Sequence, residues 1–156
     1  MWGPKQEKVR KKKNMSLAFA LDFQHAGITM IFHLQGLTSR GFGNVPNLQI
    51  LECSGLALDS KEDLLSMTIF TSQRGNDVTL VSVNLRKGEC SIAENVFSLC
   101  KLDNANSRMT SLQTLIANPA EGKPREYRCN ATGYEAPGRV HTKTWSLTVF
   151  TISESL

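Results

Sequence analysis

From Gly43 onward the chain runs in short stretches of Val, Ile, Leu, Thr and Phe, punctuated by Gly, Asn, Asp, Ser and Pro. Such text predicts strands and turns. Residues 48–54, 65–71, 78–84, 109–117, 126–132 and 140–151 are the strong runs, and 28–34 and 96–102 are weaker ones. Arg74-Gly75-Asn76-Asp77 marks a turn between two of them, and no long 3.6-residue periodicity competes with the strand pattern. About eight strands, each with one wet face, suit an all-β, two-sheet antiparallel sandwich. Alternation assigns the faces. Leu65, Met67 and Ile69 oppose Ser66 and Thr68, and Trp145, Leu147 and Val149 oppose Thr144, Ser146 and Thr148. Leu51 shares a face with Cys53, and Tyr127 with Cys129, so the two cysteines can enter one core from opposite sheets.

Charge divides the chain. The protein has 156 residues and a net charge of +4, yet six of its eighteen Lys and Arg lie in the first thirteen residues, opposed only by Glu7. The rest carries twelve cations against thirteen anions, so the body is near neutral and no basic nucleic-acid face is expected. Three segments follow: a basic, disordered stretch over 1–15, a weakly apolar lead-in over 16–42 that is either signal-like or a first strand, and a folded domain over 43–151. Basic then apolar is the order of an export signal, but Asp22, Gln24 and His25 interrupt the apolar run. It is far too short to span a membrane. Lys11-Lys12-Lys13 also fits a nuclear-type basic cluster.

The four cysteines change the picture more. There is no CxxC, and His25, His33 and His141 stand at no metal-ligand spacing from a cysteine, which argues against a zinc site. Disulfides are expected instead, and with them an oxidising compartment. Nested pairing, Cys53 with Cys129 outside Cys90 with Cys100, is the simplest of the arrangements that four cysteines allow.

Cys129 follows an aromatic two positions earlier, in Tyr127-Arg128-Cys129, and lies 76 positions after Cys53. This combination resembles the immunoglobulin superfamily. The resemblance implies a bridge between Cys53 and Cys129 and a Tyr127 hydroxyl bonded back to the main chain. It also implies a sixth strand over 126–132, a turn through Gly133 to Gly138 and a last strand over 140–150. Two features depart from the family: Met67 or Ile69 stands where it usually places a core tryptophan, and Lys123-Pro124-Arg125-Glu126 replaces its acid and glycine before the tyrosine. Ser66-Met67-Thr68-Ile69-Phe70 and Glu126-Tyr127-Arg128-Cys129-Asn130-Ala131-Thr132-Gly133 are similar to segments of the immunoglobulin-like domains of molluscan fibrinogen-related proteins. That narrower resemblance implies recognition of non-self protein or carbohydrate. These 156 residues leave no room beside it for a fibrinogen-like domain, which counts against carbohydrate.

The remaining motifs are modest. Asn130-Ala131-Thr132 is a glycosylation sequon whose asparagine, next to an inward Cys129, faces outward. Asn14-Met15-Ser16 is a second sequon inside the signal-like region. Gly41-Phe42-Gly43 begins like a dinucleotide loop, but Pro46 and a strand follow, so a turn is expected. His141 is expected to be an exposed strand histidine with no acidic partner near it in sequence, and Trp145 to pack in the core. No catalytic constellation, metal site or cofactor is predicted. The chain is read as a secreted, extracellular binding or adhesion module in innate immune recognition, with a protein or carbohydrate ligand. The alternative is an intracellular β-domain whose basic N-terminus serves nuclear import or contacts nucleic acid.

Overall fold

The computed structural model describes residues 13–19, 22–25, 28–31 and 36–154, with side chains described from 36 to 151. The strands, in chain order, are β1 (Lys13–Phe19), β2 (Asp22–His25), β3 (Ile28–Ile31), β4 (Leu37–Gly41), β5 (Leu48–Ser54) and β6 (Asp63–Gln73). They continue with β7 (Asn76–Asn84), β8 (Glu89–Ile92), β9 (Ser98–Lys101), β10 (Ser111–Ala117), β11 (Arg125–Glu135) and β12 (Arg139–Glu154). Among the described residues the helical elements are two single 3-10 turns, Gly55–Ala57 and Ser107–Met109, and no helix is long and apolar enough to cross a membrane.

One sheet has the order β4-β5-β10-β9 and the other β1-β12-β11-β6-β7-β8. Strands β4 to β12, taken as A, B, C, C′, C″, D, E, F and G, give ABED on one side and GFCC′C″ on the other. That is the nine-stranded, variable-type order of the immunoglobulin-like sandwich. β1 extends the larger sheet by pairing antiparallel with β12, and β2 and β3 form a separate two-stranded ribbon. β1 therefore takes in residues 13–15 of the stretch expected to be disordered. The rest of the basic run, through Lys12, lies outside the described residues.

The sandwich also starts earlier than residue 43. β4 pairs along its length with β5, and Leu37 is fully buried opposite Cys53. Period-2 alternation explains the core: β5 buries Gln49, Leu51 and Cys53, β6 buries Met67 and Ile69, and β12 buries Leu147 and Val149. The β6–β7 hairpin closes through Arg74 and Gly75, both at positive φ (53° and 82°), as a two-residue type I′ loop requires. Opposite Ile69 and Phe70 the pairing slips by one residue. Leu80 is the extra residue, and both it and Val81 are buried.

Candidate protein-contact face

The same alternation that buries one face of the ABED sheet presents the other. On β10, Leu112, Thr114 and Ile116 point inward, so Gln113 and Leu115 point outward; on β5 the outward residues are Leu48, Ile50 and Glu52. Register then assembles a patch. Leu115 lies opposite Ile50, its N–H bonds to the Phe97 carbonyl at 2.9 Å, and Leu99 lies opposite Gln113. Phe42, Ile50, Phe97, Leu99 and Leu115 line a shallow groove of about 330 Å³. Phe97 is 79% exposed, Leu99 49% and Phe42 40%. Arg40, Glu52 and Lys101 border the groove with mixed charge.

The opposite sheet treats its outer face differently. Phe70 is covered there by the Arg128 guanidinium, 5.9 Å from the ring centre, and is only 8% exposed. Arg128 in turn pairs with Glu126 at 2.9 Å. Around them stand hydroxyls and amides: Thr144 donates to Asn130 at 2.7 Å, and the Thr132 and Thr142 hydroxyls meet at 2.8 Å. Asn130 lies on this polar face, half-buried, in a row with Thr68 and Thr144.

The cysteines tie the two sheets together at two places. Cys53 and Cys129, both fully buried, are bonded across the core with their Cα atoms 6.4 Å apart. Cys53 sits in a row with Leu37, Leu112 and Cys100; Cys129 sits in a row with Ile69, Val81 and Trp145. Cys90 of β8 is bonded to Cys100 of β9, so a second bridge joins the sheets at their edge. Among the described residues there is no free cysteine and no cluster of His, Cys, Asp and Glu suited to a metal.

Trp145 packs against the core half-buried, and its indole lies on Gly36. A Cβ on Gly36 would come within 2.2 Å of the ring, and the residue's φ of 94° also suits glycine. Tyr127 is 4% exposed. Arg125, two residues before it on the same face of β11, is its nearest charged neighbour on that strand face. Burial raises the phenol above its ordinary pKa, and the neighbouring Arg125 opposes that rise.

His141, expected to be exposed with no acidic partner near it in sequence, is partly covered and finds its acid 79 positions away. It pairs across the sheet with Gly133 and meets Glu62, a carboxylate with a 1% exposed side chain, through Nε2. Gly133 lies directly over the loop that carries Glu62, since a Cβ there would stand 3.2 Å from Leu58 Cδ1 and 3.4 Å from the Glu62 carboxyl carbon. Glu62 Oε1 accepts from the Asp59 N–H at 3.0 Å, and Lys143 Nζ lies 3.8 Å away. The acid thus anchors the loop between β5 and β6 to β12. We expect His141→Ala to lower stability by about 1–3 kcal/mol by stranding a buried carboxylate, and Glu62→Gln added to it to restore part of the loss. Urea unfolding of the two variants at pH 7 measures this, and equal stability of His141→Ala and wild type would refute the anchoring role.

No protein-family model matches the chain, and no curated protein matches it. Among solved structures, a structure of murine CRIg is similar over 70% of this chain and 91% of its own, with 12% sequence identity and a TM-score of 0.46.

Proposed function

We propose that this chain is an extracellular immunoglobulin-like binding module that holds a protein partner on the outer face of its ABED sheet. One observation carries the reading: Phe97, Leu99 and Phe42 stand exposed together on a sheet face whose other side is the core. Contiguous exposed apolar side chains with a charged rim are the anatomy of a protein interface. An aromatic residue near the centre is the kind of group that anchors one.

Two disulfides are consistent with an oxidising, extracellular setting. A glycan on Asn130 would sit on the GFCC′C″ face and leave the apolar face uncovered. The likeness of Ser66-Met67-Thr68-Ile69-Phe70 and the Tyr127–Cys129 segment to domains of molluscan fibrinogen-related proteins supports a role in innate immune recognition. A groove lined mainly by apolar side chains favours a protein ligand over a carbohydrate.

The test uses secreted, disulfide-intact protein on an array of extracellular protein domains, with a glycan array alongside. Phe97→Ser with Leu99→Ser is expected to weaken the protein interaction by about tenfold or more, with unfolding unchanged. Binding that survives the double substitution, or that appears on glycans alone, would reject the proposed face. Retention in the cytosol with salt-sensitive nucleic-acid binding, lost on deleting residues 1–13, would reject the extracellular reading.

A further inference from the structure

At the end of the sandwich where β6 turns into β7, the two sheets part and leave a cavity of about 440 Å³. That volume is in the range of small-ligand sites, about 300–1,000 Å³. Leu80 from β7, Val96 from the segment before β9 and Ile116 from β10 supply apolar wall. Arg125 and Tyr127, two residues apart on one face of β11, supply the polar end.

Arg125 is the single charged side chain among the lining residues, so the cavity carries one formal positive charge. Three of its other polar side chains are engaged elsewhere. Thr71 donates to the Glu126 carbonyl at 2.8 Å, Thr114 receives the Ser98 hydroxyl at 2.9 Å, and the Asn118 carboxamide oxygen accepts from Gln49 at 3.0 Å. The wall is also preformed. The connection between β10 and β11 is held by Asn118 N–H to the Asn47 carbonyl at 2.9 Å and by the Thr151 hydroxyl to the Pro119 carbonyl at 2.6 Å.

We propose that this cavity binds a small monocarboxylate with an apolar body, the carboxylate on Arg125 and the Tyr127 hydroxyl and the body against Leu80, Val96 and Ile116. A planar guanidinium matches a carboxylate in shape as well as charge. Burial raises the Tyr127 phenol above its ordinary pKa, so it carries a proton to donate at neutral pH. A dianion would leave one charge without a partner beside apolar wall. A neutral ligand would forgo the charge-assisted bonds that Arg125 offers.

The probes are 4-phenylbutyrate and its neutral counterpart, 4-phenylbutyramide, titrated into the full, disulfide-intact chain and followed by amide NMR. Saturable shifts are expected at Leu80, Val96, Ile116 and Tyr127 with the acid, and about tenfold weaker binding with the amide. Arg125→Gln is expected to weaken the acid by about tenfold and Arg125→Lys by less, because lysine keeps the charge without the fork. Arg125 is exposed, so both variants keep the wild-type spectrum elsewhere. Absence of saturation, equal binding of acid and amide, or Arg125→Gln binding the acid like wild type would each overturn the proposal. Tyr127→Phe with undiminished acid binding would remove the hydroxyl from the site.

Discussion

Replacing Cys53 and Cys129 together by alanine is expected to lower the free energy of unfolding by about 4–5 kcal/mol. The bridge closes a loop of 76 residues, and constraint of the unfolded chain grows with loop length on the entropy model. Both sulfurs lie in the fully buried layer, so the substitution also removes packing between the Leu37–Leu112 row and the Ile69–Val81 row. Small domains are stable by only about 5–15 kcal/mol, and such a loss takes a large share. Cys90 and Cys100 close a loop of 10 residues at an exposed edge, so their removal is expected to lower stability by about 3 kcal/mol. Equilibrium unfolding in guanidinium compares the two double variants. The ordering fails if the edge bridge proves the more important.

Ile69→Ala is expected to destabilise by about 2–5 kcal/mol, since Ile69 is fully buried on the central strand β6, opposite Cys129 on one side and Val81 on the other. Ile69→Trp tests the departure from the family pattern. It is expected to destabilise by about 1–3 kcal/mol, although it restores the family's usual residue. The reason lies one strand away. Trp145 of β12 flanks Cys129 on the side away from Ile69 and packs against the core, with Gly36 under its indole. A second indole, in place of Ile69, would press on Met67 and Val81, both 1% exposed or less. Thermal or denaturant unfolding of the two variants decides the matter, and a gain in stability from Ile69→Trp would show unfilled space beside the disulfide.

Much of the frame is legible along the chain because strand formation is written locally. The period-2 alternation of Met67 and Ile69, or of Leu147 and Val149, shows which side chains go inward before any partner is known. Residues 48–54 coincide with β5 for the same reason, and Arg74-Gly75 marks its turn because positive φ at both positions restricts the residues that fit. β4 and β8 were harder. Leu37-Thr38-Ser39-Arg40-Gly41 offers one apolar residue and Glu89-Cys90-Ser91-Ile92 is exposed throughout, so pairing with β5 and β7 makes them strands where composition does not.

The candidate surfaces belong to the tertiary structure. Phe97 and Leu99 read as part of a weak strand, and nothing local says that β9 lies beside β10 with Ile50 and Leu115 completing a patch. Glu62 and His141 stand 79 positions apart, and each alone reads as an ordinary surface residue; the pairing of distant strands brings them together. The sequence by itself determined the strands, their inward faces and the cysteines available to join them, because alternation and turn chemistry act over a few residues. Which face of each sheet stays apolar and open, which acid meets which base, and where the sheets part to leave a cavity were decided only by the order in which distant strands pair.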